Sequence, residues 1–166
     1  RPMERLWAPW RMDYVAGPDA GDDGCIFCLR QKSAEDRQRL VLCRGEHAFV
    51  ILNRYPYTNG HLMVAPYRHL ADVGDLEPQE AAEIHRLMVR SKKALSKAFC
   101  PEGFNIGMNL GKAAGAGVDD HIHLHIVPRW IGDVNFMTSL GEVRVIPEHL
   151  LTTYEHLLPL FADGSL

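Results

Sequence analysis

The spacing of apolar and polar positions divides the chain into helices and strands. From Ile84 to Phe99, apolar residues recur three and four apart (Ile84, Leu87, Met88, Leu95, Ala98, Phe99), giving one stripe of an amphipathic helix. Pro78 suits its first turn, with Glu77 before it and Glu80 and Glu83 near the positive end of the helix dipole. Arg90, Lys92, Lys93 and Lys97 charge the remaining surface, and Pro101 and Gly103 mark the end. Two short runs, residues 48–52 and 61–65, are largely apolar and flank the turn residues Pro56 and Asn59-Gly60. They predict a β-hairpin within residues 40–66, in the interior of a sheet. Residues 104–110 predict another strand. Residues 121–127 alternate strictly: Ile122, Leu124 and Ile126 face the core, while His121, His123 and His125 share the other face, ~6.6 Å apart. Pro128 has no N–H to donate and is expected to end that strand. Pro147 opens a C-terminal helix through Leu160, with Leu150, Leu151, Tyr154, Leu157 and Leu158 inward. The charged residues 30–39 predict a short helix or a solvated loop.

These elements imply an α+β fold: an antiparallel sheet of about five strands, the long helix packed on one face, and a C-terminal helix. A length of 166 residues suits one domain and buries about two-thirds of the unfolded surface. No repeat or linker divides it, so residues 1–166 are expected to form a single domain, with an N-terminal arm over 1–24 and a C-terminal extension over 138–166. Trp7 and Trp10 lie in the arm and suggest that it is ordered and interfacial. A hydrophobic share of 46% with 23% charged residues reads as soluble and globular. The net charge of −3 argues against sequence-independent nucleic-acid binding. No apolar run approaches a membrane span and no signal-peptide core is visible, so a cytoplasmic location is expected.

Four cysteines make no disulfide framework in a chain of this size. Cys25 and Cys28 form a C-x-x-C pair after the polar loop 17–24 instead of opening a helix, which favours a metal over redox chemistry. Cys43 and Cys100 read as small buried apolar residues. The three histidines follow a glycine-rich stretch, residues 111–117. Neutral imidazole is a capable nucleophile towards phosphorus, and its ordinary pKa of about 6.5 leaves it mostly deprotonated at neutral pH. Gly111, Gly115, Ala116 and Gly117 would let backbone N–H groups approach a phosphate, and Asn109 would donate from the end of the preceding strand. An ordinary flexible turn is the alternative for that loop. The G-x-x-x-x-G-K-[ST] spacing of a P-loop is absent. His85 falls off the helix stripe and is expected to be exposed; His47, His61, His149 and His156 are given no role.

The run at 121–127 fits, without substitution, the His-φ-His-φ-His-φ-φ signature (φ hydrophobic) of the histidine-triad (HIT) superfamily of nucleotide hydrolases and transferases, which the chain resembles. Cys-Ile-Phe-Cys at 25–28, Asn-Gly-His-Leu-Met-Val-Ala-Pro at 59–66 and the glycine loop occur in the family's order. Residues 6–12 and 128–137 resemble the bacterial branch that includes diadenosine tetraphosphate phosphorylases. That resemblance implies phosphorolysis of the dinucleotide to ATP and ADP through a nucleotidyl-histidine. The alternatives are a hydrolase of dinucleoside polyphosphates or adenosine phosphoramidates, and a nucleotide-binding protein with negligible turnover. A metal-dependent enzyme is disfavoured, because only Asp119 and Asp120 place carboxylates beside the triad.

The family pattern makes His123 the nucleophile and has His125 contact the phosphate and assist proton transfer to the leaving group. It expects a main-chain carbonyl near His121 to fix the His123 tautomer. Asn53 would hold the ribose hydroxyls. Leu42, Phe49 and Ile51 would wall the base pocket, with plain core packing the stronger alternative for most of them. Trp130 would protrude to stack on a second adenine or pack in a dimer. Zinc-bearing relatives imply a closed structural zinc site of Cys25, Cys28, His69 and His121, with free thiols as the alternative. No organic cofactor is implied. Family members pair, so a homodimer or higher homo-oligomer is expected.

Overall fold

The computed structural model describes residues 25–29, 35–114, 121–133 and 148–162. Helix α1 (Asp36–Arg39) leads into strand β1 (Val41–Arg44), followed by β2 (Ala48–Leu52) and β3 (Leu62–Pro66). Helix α2 (Pro78–Phe99), strands β4 (Gly103–Met108) and β5 (Leu124–Arg129), and helix α3 (Leu150–Ala162) complete the order. The strands form one antiparallel sheet, β1-β2-β3-β5-β4, so the α+β expectation is met.

Alternation along the strands separates two apolar clusters. Val50, Leu52, Leu62, Val64, Leu124 and Ile126 pack with Ile84, Leu87 and Leu95 of α2 and with Tyr154, Leu157 and Phe161 of α3. Each such side chain contributes about 1.5–3 kcal/mol on burial. On the other face, Phe49, Ile51, Met63 and Ala65 pack with Cys25, Phe27 and Leu29. With both faces covered, all five residues of β2 are buried.

Helix α2 starts as its sequence predicts. Pro78 occupies the first turn, and Glu77 and Glu80 form a reciprocal capping box. It ends at Cys100, which takes a left-handed conformation (φ 47°) and donates its N–H to the Ser96 carbonyl. That position leaves Cys100 exposed, against the expectation of burial, while Cys43 is half-buried at the edge of the core. Glu83, one turn into α2, reaches the β1–β2 turn and accepts the backbone N–H groups of Glu46, His47 and Ala48. His85 is exposed as expected.

Several boundaries differ from the reading of the sequence. β1 is an additional strand, whose short mixed run carries little periodic signal. β4 ends at Met108, because a 3-10 turn follows at Lys112–Ala114. β5 continues through Pro128 to Arg129. Pairing with β3 stops at Leu62↔Ile126, and the Pro128 carbonyl on that side accepts from Thr58 Oγ1 at 2.9 Å. No N–H is needed there, so proline does not break the strand. In α3 the inward residues are Tyr154, Leu157 and Phe161; Leu151 and Leu158 are 37% and 39% exposed. No helix among the described residues is long and apolar enough to cross a membrane. The tryptophan arm, residues 30–34, Gly115, Ala116, Gly117, Asp119, Asp120 and Pro147 lie outside the described residues.

Candidate active site and metal centre

The site is built where the β2–β3 turn meets the start of β5. Gly60 adopts φ +76°, and an added Cβ would lie 2.9 Å from Leu95 Cδ2, so the turn needs glycine. This turn delivers His61, fully buried, to the face that carries the triad. His125 pairs with Met63 on one side and Gly107 on the other. A Cβ at Gly107 would meet nothing within 4 Å, so open space lies across from His125. The β4–β5 ladder ends at Met108↔Leu124, with Asn109 next after β4 and His123 just before β5.

A chain of hydrogen bonds fixes the tautomers. Asn53 Oδ1 accepts from the Tyr55 N–H at 2.9 Å, so its amide nitrogen is the donor facing His61 Nδ1 at 3.2 Å. The Tyr57 N–H also donates to that Nδ1, at 3.1 Å. With Nδ1 accepting, the His61 proton sits on Nε2, which donates to His125 Nδ1 at 2.9 Å. Neutral His125 therefore carries its proton on Nε2. The Tyr57 ring covers both, 4.6 Å from His61 and 6.0 Å from His125.

His123 is fixed separately. Its Nδ1 donates to the His121 carbonyl at 2.9 Å, as expected, leaving an Nε2 lone pair. Burial lowers its pKa below the ordinary 6.5, partly offset by that hydrogen bond, so the neutral form prevails at pH 7. His125 meets it edge-on, with centroids 4.7 Å apart. Two adjacent rings thus carry an unprotonated nitrogen and an N–H, the pairing that attack on phosphorus and protonation of a leaving oxygen require.

His121 faces the other way. Its Nε2 donates to the Pro66 carbonyl at 2.9 Å, so Nδ1 is bare. Burial, opposed by that hydrogen bond and reinforced by His69 and His123, takes its pKa down to about 4. Nδ1 lies 3.4 Å from Cys25 Sγ and 3.8 Å from Cys28 Sγ, while His69 Nδ1 lies 3.2 Å from Cys28 Sγ. Tetrahedral zinc with ordinary Zn–S and Zn–N bonds separates S and N by about 3.5 Å. The four ligand atoms all lie within 4.8 Å of one another, so the donor set fits a four-coordinate soft metal.

The structure thus gathers Cys25, Cys28, His69 and His121 into one cluster, and Asn53, His123 and His125 into another. Trp130 does not protrude: it is half-buried, and its indole N–H donates to the Phe99 carbonyl at the end of α2. Leu42 points into the helix-side core, away from the triad, whereas Phe49 and Ile51 lie on the triad's face. His61 is the residue the sequence reading passed over. Its signal was present: Asn53 and His61 are polar residues at the two ends of a hairpin turn between apolar strands, a pattern that pairs them in a buried position.

The HIT domain family profile matches residues 34–130 of the chain. An AP-4-A phosphorylase of Mycobacterium tuberculosis is 40% identical, covering 91% of this chain and 80% of that protein. An adenosine 5'-monophosphoramidase of Schizosaccharomyces pombe is 33% identical over 76% of this chain and 95% of its own length. A zinc-bound histidine triad family protein of Mycobacterium smegmatis superposes with a TM-score of 0.65 at 30% identity, covering 86% of this chain and 96% of that one.

Proposed function

The chain belongs to the HIT domain family, and from that premise we propose that it cleaves dinucleoside polyphosphates by phosphorolysis, converting diadenosine tetraphosphate and phosphate to ATP and ADP. His123 Nε2 attacks the α-phosphorus, the bond to the bridging oxygen breaks, and ATP leaves with a nucleotidyl-histidine behind it. The Nε2 proton of His125 goes to the departing oxygen. Phosphate then attacks the same phosphorus, restoring the imidazole and releasing ADP. In this reading Asn53 holds the ribose, Asn109 and the backbone of Gly115, Ala116 and Gly117 meet phosphoryl oxygens, and Trp130 flanks the second nucleoside.

One observation carries this reading: the locked pair of a neutral His123 with its lone pair on Nε2 and a His125 whose proton sits on Nε2. The 40% identity to an AP-4-A phosphorylase supports the choice of acceptor and substrate. The likeness to an adenosine 5'-monophosphoramidase favours a second reading, in which water is the acceptor. Cys25, Cys28, His69 and His121 make a structural zinc site: four protein ligands leave no open position, so bound zinc supplies rigidity instead of Lewis acidity. We read residues 1–166 as one domain, since α3 packs into the same core as α2. Free cysteines suit a reducing cytoplasm. Edge strand β4, with Ile106 40% exposed, supports a homo-oligomer.

The test is incubation with diadenosine tetraphosphate and labelled phosphate. Label in ADP together with phosphate-dependent ATP release is expected; AMP formed without need of phosphate would replace this reading by the hydrolase. The variant His123→Gly should lose turnover and still bind nucleotide.

A further inference from the structure

Between the two cysteines of the metal cluster lies a residue that the chemistry above leaves unused. Phe27 is fully buried, and its ring lies over the His123 imidazole with centroids 4.6 Å apart and planes 28° apart. The same ring tilts against His121 at 5.5 Å. Its loop is tight: the Cys28 N–H donates to the Cys25 carbonyl at 3.2 Å, and the Leu29 N–H to the Phe27 carbonyl at 2.8 Å. The flanking sulfurs meet His69 and His121, so the loop is held from both sides of the ring.

A fully buried ring has no free face on which a base could stack. What it does have is a nearly parallel imidazole. The hydrogen bond from His123 Nδ1 to the His121 carbonyl holds one edge of the ring and leaves its faces to be held by packing. His125, edge-on at 70°, supplies no flat surface against it. Offset-stacked rings resist tilting, which is the restraint the hydrogen bond lacks.

We propose that Phe27 is a positioning residue that sets the plane of the His123 imidazole, so that Nε2 stays on the in-line axis of attack. The proposal rests on His123 being the nucleophile. It makes the C-x-x-C loop serve two ends: its cysteines hold the metal and its phenylalanine holds the reacting ring. The metal cluster and the nucleophile are then linked twice, through the His121 carbonyl and through Phe27.

The experiment uses the zinc-loaded protein and Phe27→Leu, which keeps apolar bulk without a flat face. Zinc content and unfolding midpoint confirm that the variant is assembled; if it fails to assemble, Phe27→Met, whose flexible side chain fills the same space, is read in its place. Misorientation of the attacking atom should lower kcat at least about tenfold while KM for diadenosine tetraphosphate stays within about twofold. Unchanged kcat overturns the proposal, as does a raised KM with kcat intact, which would make the ring a wall of the base pocket. In proton NMR, the His123 ring signals of the wild-type protein should be shifted upfield by the stacked ring and should move downfield in the variant; signals at the same positions in both overturn it. The NMR measurement reports the stacking whether or not His123 attacks phosphorus, so its failure is separable from failure of the nucleophile assignment.

Discussion

At the scale of single residues, the site is decided by which nitrogen of each imidazole carries a proton. His61 settles this for His125, because two donors at its Nδ1 force the proton to Nε2. Without it, His125 would be free to take the other tautomer and present a lone pair to the leaving group. His61→Phe keeps an aromatic ring of similar size in the buried position but removes the donor. It is expected to lower kcat about 10- to 100-fold, a fraction of what a general acid supplies, with nucleotide affinity nearly unchanged. Single-turnover measurements with diadenosine tetraphosphate check this, and a full-rate variant would remove His61 from the machinery. Residue identities were legible where chemistry restricts the choice. The cysteine pair reads as a metal site from its own spacing and setting, the resemblance to zinc-bearing relatives added His69 and His121, and the structure brings all four together. His61 was only partly legible: its place opposite Asn53 across the turn could be read, but only three-dimensional proximity relates it to His125, 64 positions away. The half-buried setting of Trp130 was not legible, because a sequence shows an indole but not the carbonyl that holds it.

At the scale of elements, periodic segments were readable and irregular ones were not. Helix α2 carries its own start signal in Pro78 and its capping box, so its existence and first turn followed from local chemistry. Strand β1 pairs in a register interrupted between Val41 and Cys43, which blurs any alternation. Glu83 joins these two kinds of element, since a carboxylate on α2 closes the β1–β2 turn. Burial alone would raise its pKa, but the three backbone N–H donors outweigh this and hold it below the ordinary carboxylate range. The folded pKa is therefore below the unfolded one, and the unfolded chain binds the extra proton. The stabilisation is complete above the unfolded value of about 4.3 and is lost as pH falls through the lower folded value. Glu83→Gln should cost about 1–3 kcal/mol at neutral pH, because one buried acceptor becomes a donor facing N–H groups. It should also flatten the decline in stability on the acid side. Urea unfolding at pH 7 and between pH 3 and 5 measures both; equal stability of the two proteins at pH 7 would show that the turn closes without the carboxylate.

At the scale of the whole molecule, the sheet has two unequal sides. The helix side joins all the central strands to α2 and α3 in one cluster, whereas the triad side relies on a smaller cluster to which residues 25–29 contribute Cys25, Phe27 and Leu29. The insertion of β5 between β3 and β4 could not be read from local pattern, because non-local pairing depends on the whole core. That insertion is what brings His121 to the loop of Cys25 and Cys28, across some ninety positions of chain. A metal at the cluster therefore ties a short loop, seated on the sheet by Phe27 and Leu29, to the entrance of the catalytic strand, and binding to the folded state alone must raise stability. At free zinc about a thousandfold above Kd the gain is about 4 kcal/mol, or about 8–16 °C in Tm for a chain of this size. The midpoint should climb with the logarithm of free zinc, and Cys28→Ser should lose most of that climb. Chelation should abolish dinucleotide turnover while the far-ultraviolet spectrum keeps its helical signal, because α2 and α3 pack on the side of the sheet that the cluster does not touch. A thermal midpoint indifferent to zinc in the wild-type protein would mean that the two thiols and two imidazoles meet without a metal, and that the loop is held by Phe27 and its apolar neighbours alone.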